Sequence, residues 1–194
     1  ANLGFSITPV YYGPVYVFRN VVYNLQDHWV GSCVGVKDGE GGNGAVFFYH
    51  NTFESPAGSG CNNIVKGFAK YGGGNEQSNV VVKNNILHFW GRLHETGGKT
   101  LDYNLNYTEP GSGDKVAEWN GTNYWSFASF QSGSGQERNG QWGTATFANA
   151  AGGDFHLTSG SVGIDDGVLL PGFNDGDSPW PYRGAGPDVG AFES

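Results

Sequence analysis

Five side chains that could do chemistry together recur at matching places in three similar stretches of this sequence: Arg19, His50, Glu54, Lys83 and His88. A guanidinium or ammonium group neutralises a carboxylate, and an imidazole takes a proton near neutral pH. A cation beside a base is the equipment for removing a proton next to a carboxylate, because it stabilises the negative charge that develops. In that arrangement Arg19 or Lys83 is the cation and His50 the base. Tyr16, Phe18, Phe47 and Tyr49 stand next to them in the chain and would offer flat apolar faces to sugar rings, with Glu54 and His88 as polar substrate contacts. The same charged residues would also arise as a solvated ladder on the outside of a sheet, where outward charges are the rule.

The elements that must position these residues are legible as a repeat. The segments 15–22 (VYVFRNVV), 46–53 (VFFYHNTF) and 80–87 (VVVKNNIL) share one plan: an apolar β-rich run, a polar residue, an Asn, then a second short apolar run. Asn20, Asn51 and Asn85 anchor the three copies, and Asn104 holds the same place in a weaker fourth, 101–105 (LDYNL). An Asn is unwelcome inside a strand but suits a sharp bend, where it tolerates left-handed backbone. Stacked repeat on repeat, such amides can bond to each other and to nearby backbone. Three unrelated hairpin strands with coincidental Asn residues remain the alternative.

Alternation along the strands then sorts the side chains. Val15/Val46/Val80, Val17/Phe48/Val82 and Val22/Phe53/Leu87 form inward apolar columns. Tyr16/Phe47/Val81, Phe18/Tyr49/Lys83, Arg19/His50/Asn84 and Tyr23/Glu54/His88 form outward ones. The Gly-rich stretches 38–43 and 72–78 read as surface loops. Cys33 and Cys61 follow their Asn anchors at similar distances, which places them on adjacent repeats within reach of a disulfide.

Composition agrees with short strands and tight turns. The 194 residues include 34 Gly and 15% aromatics but only 14% charged side chains, too few Leu, Lys and Glu for long amphipathic helices and too many rings for disorder. The fold class expected is therefore all-β. A net charge of −8 without a basic cluster argues against nucleic acid as a partner. No apolar run approaches the roughly 20 residues that span a bilayer, so no membrane span is expected. With no leader visible, Ala1 reads as a processed start. Two acceptor sequences for N-glycosylation occur, at Asn106 and Asn120.

The repeats at 13–24, 48–53 and 82–87, with the ending 154–167 (DFHLTSGSVGIDDG) and 183–193 (RGAGPDVGAFE), resemble bacterial right-handed parallel β-helix repeat proteins of the pectate-lyase-like superfamily. The resemblance covers most of the chain and is weakest between Glu109 and Thr144. It implies a right-handed β-helix, here its carboxy-terminal part: one domain with regular coils over 1–108, an elaborated loop region over 109–146, and a terminal coil and cap over 147–194. It also implies an extracellular setting, a polysaccharide or glycan partner, and a preceding β-helix segment or second copy against the first coil. Members of this group include polysaccharide lyases, glycoside hydrolases and proteins without assigned chemistry, so fold alone does not choose a reaction.

Other chemistry is less well supplied. Hydrolysis needs two flanking carboxylates, and only Glu54, Asp27, Asp38, Glu95 and Asp102 are candidates. Asp175 and Asp177, in the stretch 174–177 (NDGD), resemble a fragment of a calcium loop, with Asp165 and Asp166 as further oxygen donors; a plain Asp/Gly turn is the alternative. Arg183 reads as a structural partner of Asp188 or Asp165. His28, His94 and His156 share no metal-ligand spacing. Trp119, Trp125 and Trp142 would either stack on glycans or form a satellite core. Two functions follow: a carbohydrate-active or glycan-binding domain, lyase-like if catalytic, or a structural unit that stacks end to end.

Overall fold

The computed structural model describes residues 13–24, 44–55, 79–89, 93, 99–108 and 115–194, and the backbone alone of strands at 5–7, 34–36 and 66–67. It is mostly β, with parallel sheets and one α-helix. Each of the first three repeats contributes a four-residue strand, the fourth a three-residue one, and past a bend each adds a second strand to a different sheet. The first sheet takes β2 (Val15–Phe18), β5 (Val46–Tyr49), β8 (Val80–Lys83) and β10 (Thr100–Asp102), all parallel, in the order β10-β8-β5-β2. The second takes β3 (Val21–Tyr23), β6 (Thr52–Glu54), β9 (Ile86–Phe89), β11 (Leu105–Thr108) and β14 (Gln141–Trp142), in the order β14-β11-β9-β6-β3. A third parallel sheet joins β1 (Phe5–Ile7), β4 (Val34–Val36) and β7 (Lys66–Gly67).

The register is the one the repeat dictates. Val15, Val46 and Val80 are partners across the first sheet, as are Val17, Phe48 and Val82; in the second sheet Val22, Phe53 and Leu87 align. Val46, Phe48, Phe53, Val80, Val82 and Leu87 are wholly buried, so the expected inward columns are the core. Stiff β-branched and aromatic side chains at every second position fill a pleated surface well. Removing them from water supplies the driving force, about 1.5–3 kcal/mol for each large side chain.

Between the two strands of each repeat the Asn residues form a continuous ladder. Asn20 Nδ2 donates to Asn51 Oδ1 at 3.0 Å, Asn51 Nδ2 to Asn85 Oδ1 at 2.8 Å, and Asn85 Nδ2 to Asn104 Oδ1 at 2.9 Å. Each accepting oxygen also takes the backbone N–H of the Asn one rung away. One expectation is corrected. The left-handed residue of each bend is the one before the Asn: Arg19 (φ 51°), His50 (52°), Asn84 (56°) and Tyr103 (57°). The Asn provides the hydrogen bonds that hold the bend, while its neighbour takes the backbone strain.

Beyond the fourth repeat the pattern changes. A hairpin of β12 (Ala117–Trp119) and β13 (Thr122–Tyr124) leads into α1 (Phe127–Ser134). The helix is short and held by its ends: Ser126 and Ser129 form a reciprocal cap, and Gly135 closes it at φ 72°. Its Phe127 and Phe130 join Trp119, Leu93 and Leu101 and close one end of the core. The chain then forms the antiparallel pair β15 (Phe147–Asn149) and β16 (Asp154–Leu157), and residues 158–194 run back over the outside of the repeats without regular structure. Val189 and Leu157 pack on Ile86 and Leu105 in a second, smaller core. Gly190 lies so close to the second sheet that an added Cβ would meet Ile86 Cδ1 at 2.6 Å, and its φ of 104° also requires glycine. Cys33 and Cys61, with Asp27, Asp38, His28, His94 and Glu95, lie outside the described residues.

Candidate functional site

The column Arg19/His50/Asn84, read from the sequence as an open outer face, is instead the strip onto which the carboxy-terminal segment docks. Arg19 donates to Ala191 O at 3.0 Å and to Glu193 Oε1 at 2.8 Å. Asn84 Oδ1 accepts the Val168 N–H at 2.9 Å and its Nδ2 donates to Val168 O at 2.7 Å. Asn174 Oδ1 accepts the Leu170 N–H at 2.7 Å. These bonds fix both amide orientations, so Asn84 Nδ2 (3.0 Å) and Asn174 Nδ2 (2.8 Å) both face His50 Nε2. His50 Nε2 must then accept, which assigns the neutral ring with its proton on Nδ1.

His50 is completely buried. Burial, and secondly the Arg19 charge, push its pKa down to about 3. It is uncharged at neutral pH but sealed under the segment, so a base for an outside substrate is not what this geometry provides. Lys83 is half-buried one position back in its strand, in register between Tyr49 and Asp102. The expected convergence of Arg19, His50 and Lys83 on an open face is therefore corrected: strand alternation ends at the bend, and the returning chain covers what lies beyond it.

The expected ring-binding faces are occupied in the same way. Phe173 sits against Tyr16, Phe18 and Tyr49 at centroid distances of 5.2, 5.1 and 5.2 Å, and Trp180 meets Phe18 at 5.0 Å. Tyr16, stacked on Phe47, keeps half its surface in water. Burial raises the Tyr49 pKa above its ordinary value. The segment thus puts an aromatic ring where a sugar ring was expected.

The Tyr23/Glu54/His88 column has a different fate. It stays on the outside, and Tyr107 extends it in register. Glu54 Oε2 and His88 Nδ1 are 2.7 Å apart. His88 meets Tyr107 edge-on at 5.0 Å, and Trp142 follows Tyr107 at 5.7 Å. Tyr23, which also meets Phe155 at 5.1 Å, is 48% exposed, and Trp142, whose register partner is Asn106, is 40% exposed. Of the other tryptophans, Trp119 is core while Trp125 lies open at the start of α1. Of the glycosylation sequences, Asn106 is buried, and Asn120 is exposed at the tip of the β12–β13 hairpin.

The stretch 174–177, read as a calcium-loop fragment or a plain turn, carries bonds to the protein. Asn174 is buried and spent on Leu170 and His50, and Asp175 Oδ2 accepts the N–H of Gly172, three residues back, at 2.7 Å, while its buried Oδ1 has no hydrogen-bond partner. Asp165 Oδ1 accepts from Gly186 N–H, and Asp166 Oδ2 from Gly163 N–H. Asp165 thus reaches across 21 residues while Asp166 closes a local turn, and among the described residues no group of three or more His, Cys, Asp or Glu converges as a metal site. Arg183 also departs from expectation. Asp188 is taken by the Asp165 and Ser194 N–H groups, and Arg183 stands exposed without a partner among the described residues.

Comparison with protein-family models, curated proteins and solved structures returns no match. The site must be read from its own chemistry. No helix of the described residues is long and apolar enough to cross a membrane.

Two features escaped the sequence reading. Glu137 ends the Asn ladder: Oε1 accepts Asn104 Nδ2 at 2.7 Å and Oε2 accepts the Asn104 N–H at 3.3 Å, as another Asn would. Burial raises its pKa to about 8 against the opposing pull of Asn104. Its spacing, 33 positions past Asn104, matches the 31 and 34 between the first three anchors but not the 19 between Asn85 and Asn104. The second is a cavity of about 460 Å³ beside Arg19, walled by Trp180, Arg183, Phe192 and His156. It has no sequence signal, because its lining comes from four separate stretches.

Proposed function

We propose that this chain is a right-handed parallel β-helix of the pectate-lyase-like superfamily that works outside the cell by holding a polysaccharide along its outer surface. Support for the winding comes from two parallel sheets fed in turn by each repeat, with an Asn ladder between them. The observation that carries the function is the outward row Tyr23, Glu54, His88 and Tyr107, beside which Trp142, in register with Asn106, lays its ring against Tyr107. Parallel strands stack about 4.8 Å apart, so the row presents rings and a polar pair at a closely spaced interval. Rings of this kind cover the apolar face of a sugar, and the bonded Glu54–His88 pair lies between them. Binding is favoured over elimination because His50, the base that the repeat sets beside Arg19, is sealed beneath the carboxy-terminal segment.

Affinity electrophoresis through gels containing neutral and acidic polysaccharides tests this reading. At least one polysaccharide should retard the protein, and Tyr107→Ala or Trp142→Ala should each weaken retention about tenfold, the equivalent of about 1.4 kcal/mol. Folded protein that none of the gels retards would sink the proposal.

A second reading, end-to-end assembly, has one observation in its favour. Helix α1 and the β12–β13 hairpin close one end of the core, whereas β2 and β3 are edge strands of their sheets at the other. Unpaired strand edges can template pairing with another chain. Sizing across a hundredfold range of concentration decides it, and a monomer throughout would exclude assembly.

A further inference from the structure

The cavity beside Arg19 is built rather than incidental. Its floor is pinned where Arg19 bonds Ala191 O and Glu193 Oε1, and Glu193 Oε2 also accepts the Asp188 N–H at 3.1 Å. One wall is Trp180, half exposed and held edge-on against Phe18. The opposite side carries His156 stacked on Phe192 at 4.2 Å, its Nδ1 tied to Asp154 at 2.7 Å so that Nε2 is left for another partner. A volume of about 460 Å³ lies in the range of small-ligand sites.

Its charge differs from that of the rest of the molecule. The chain carries −8 overall, yet two of its ten Lys and Arg residues line this one cavity. The carboxylates nearby are already engaged, Glu193 by Arg19 and Asp154 by His156. Arg183 is left as an unpaired guanidinium, and the Nε of Arg19, itself nearly buried, has no hydrogen-bond partner. A planar fork of unused donors suits a carboxylate or a sulfate, and a half-exposed indole suits a flat apolar ring face.

We infer that this cavity binds an anionic sugar unit, a single six-membered ring carrying a carboxylate or a sulfate ester, with the ring against Trp180 and the anionic group on Arg183. The inference deepens the glycan-binding reading but rests on a site apart from the Tyr107 row, so each can fail alone.

Calorimetric titration of the full chain with methyl glucuronide, glucose 6-sulfate, methyl glucoside and benzoate tests it. At least one anionic sugar should bind ten times more tightly than methyl glucoside, and Arg183→Gln and Trp180→Ala should each weaken that binding tenfold or more. Arg183→Lys, which keeps charge without the fork, should fall between. Because Arg183 is exposed and unpaired, Arg183→Gln should leave the near-ultraviolet circular dichroism unchanged, and loss of binding then reports the site. Absence of binding by both anionic sugars overturns the inference, as does equal binding of methyl glucoside. Equal binding of benzoate overturns the sugar assignment. If Tyr107→Ala abolishes sugar binding and Arg183→Gln does not, the sugar sits on the outer row and the cavity proposal fails while the glycan reading stands.

Discussion

His50 and Glu137 are buried ionisable groups whose burial acts in opposite directions on stability. The unfolded chain protonates His50 below about pH 6.5, while the folded chain refuses that proton until about pH 3. Stability from this group is therefore complete above 6.5 and falls as pH drops toward 3. Glu137 is the reverse. The unfolded carboxyl loses its proton above about 4.5, while the folded one keeps it to about pH 8, so its contribution is complete below 4.5 and falls as pH rises toward 8. Each slope is on the order of 1 kcal/mol per pH unit, and between about 4.5 and 6.5 they cancel. Urea unfolding at a series of pH values should show a plateau there with declines on both sides. Glu137→Gln keeps an acceptor for Asn104 Nδ2 and should abolish the decline above 6.5; a variant that retains it would show that another group is responsible. Alternation in the sequence identified the Arg19/His50/Asn84 position as outward, which is correct for the sheet alone. It could not register that Asn174, 124 residues on from His50, would close over it.

At the scale of elements, the ladder and the strands it joins stand or fall together. Asn51 satisfies the Asn20 N–H and the carbonyls of Val17 and Tyr49 as well as its two Asn neighbours. Asn51→Ala should cost on the order of 3 kcal/mol, because several buried groups lose partners at once. Asn20 lies at the exposed edge, and Asn20→Ala should cost about 1 kcal/mol. Denaturant midpoints measure both, and equal losses would mean that the ladder is not a cooperative unit. Phe48→Ala, which leaves a void between the two sheets, should cost about 3–5 kcal/mol. The strands, their register and the four Asn anchors were all readable, since each depends on local pattern. The terminating Glu137 was not, because it replaces Asn by function rather than by residue type.

Across the whole molecule, the carboxy-terminal segment is the long-range clasp. It joins Arg19 to Glu193, His50 to Asn174, Asn84 to Val168 and Thr52 to Ala191, contacts between parts of the chain far apart in sequence. Irregular backbone of this kind is held by such contacts rather than by a ladder of its own. Phe173→Ala removes the ring lodged among Tyr16, Phe18 and Tyr49 and should loosen the clasp before the repeats unfold. Limited proteolysis should then cut within 158–182 severalfold faster than in the unaltered protein, with the repeats still intact. Cleavage at an unchanged rate would mean that the segment is secured elsewhere.

The sequence by itself determined the repeated strands, the columns of the core and the line of Asn residues, because those follow from a two-residue alternation and a recurring bend. Only the tertiary structure decided which outer faces stay open. The five residues first picked out for chemistry divide on that ground: Arg19 and His50 anchor the returning segment, Lys83 stands half-buried behind them, and Glu54 and His88 remain on the outer row. The physical reason is that solvent access is set by whatever packs on a face, and here that is chain more than a hundred residues away. The Arg183–Trp180 cavity exists for the same reason, as a product of where the end of the chain comes to rest.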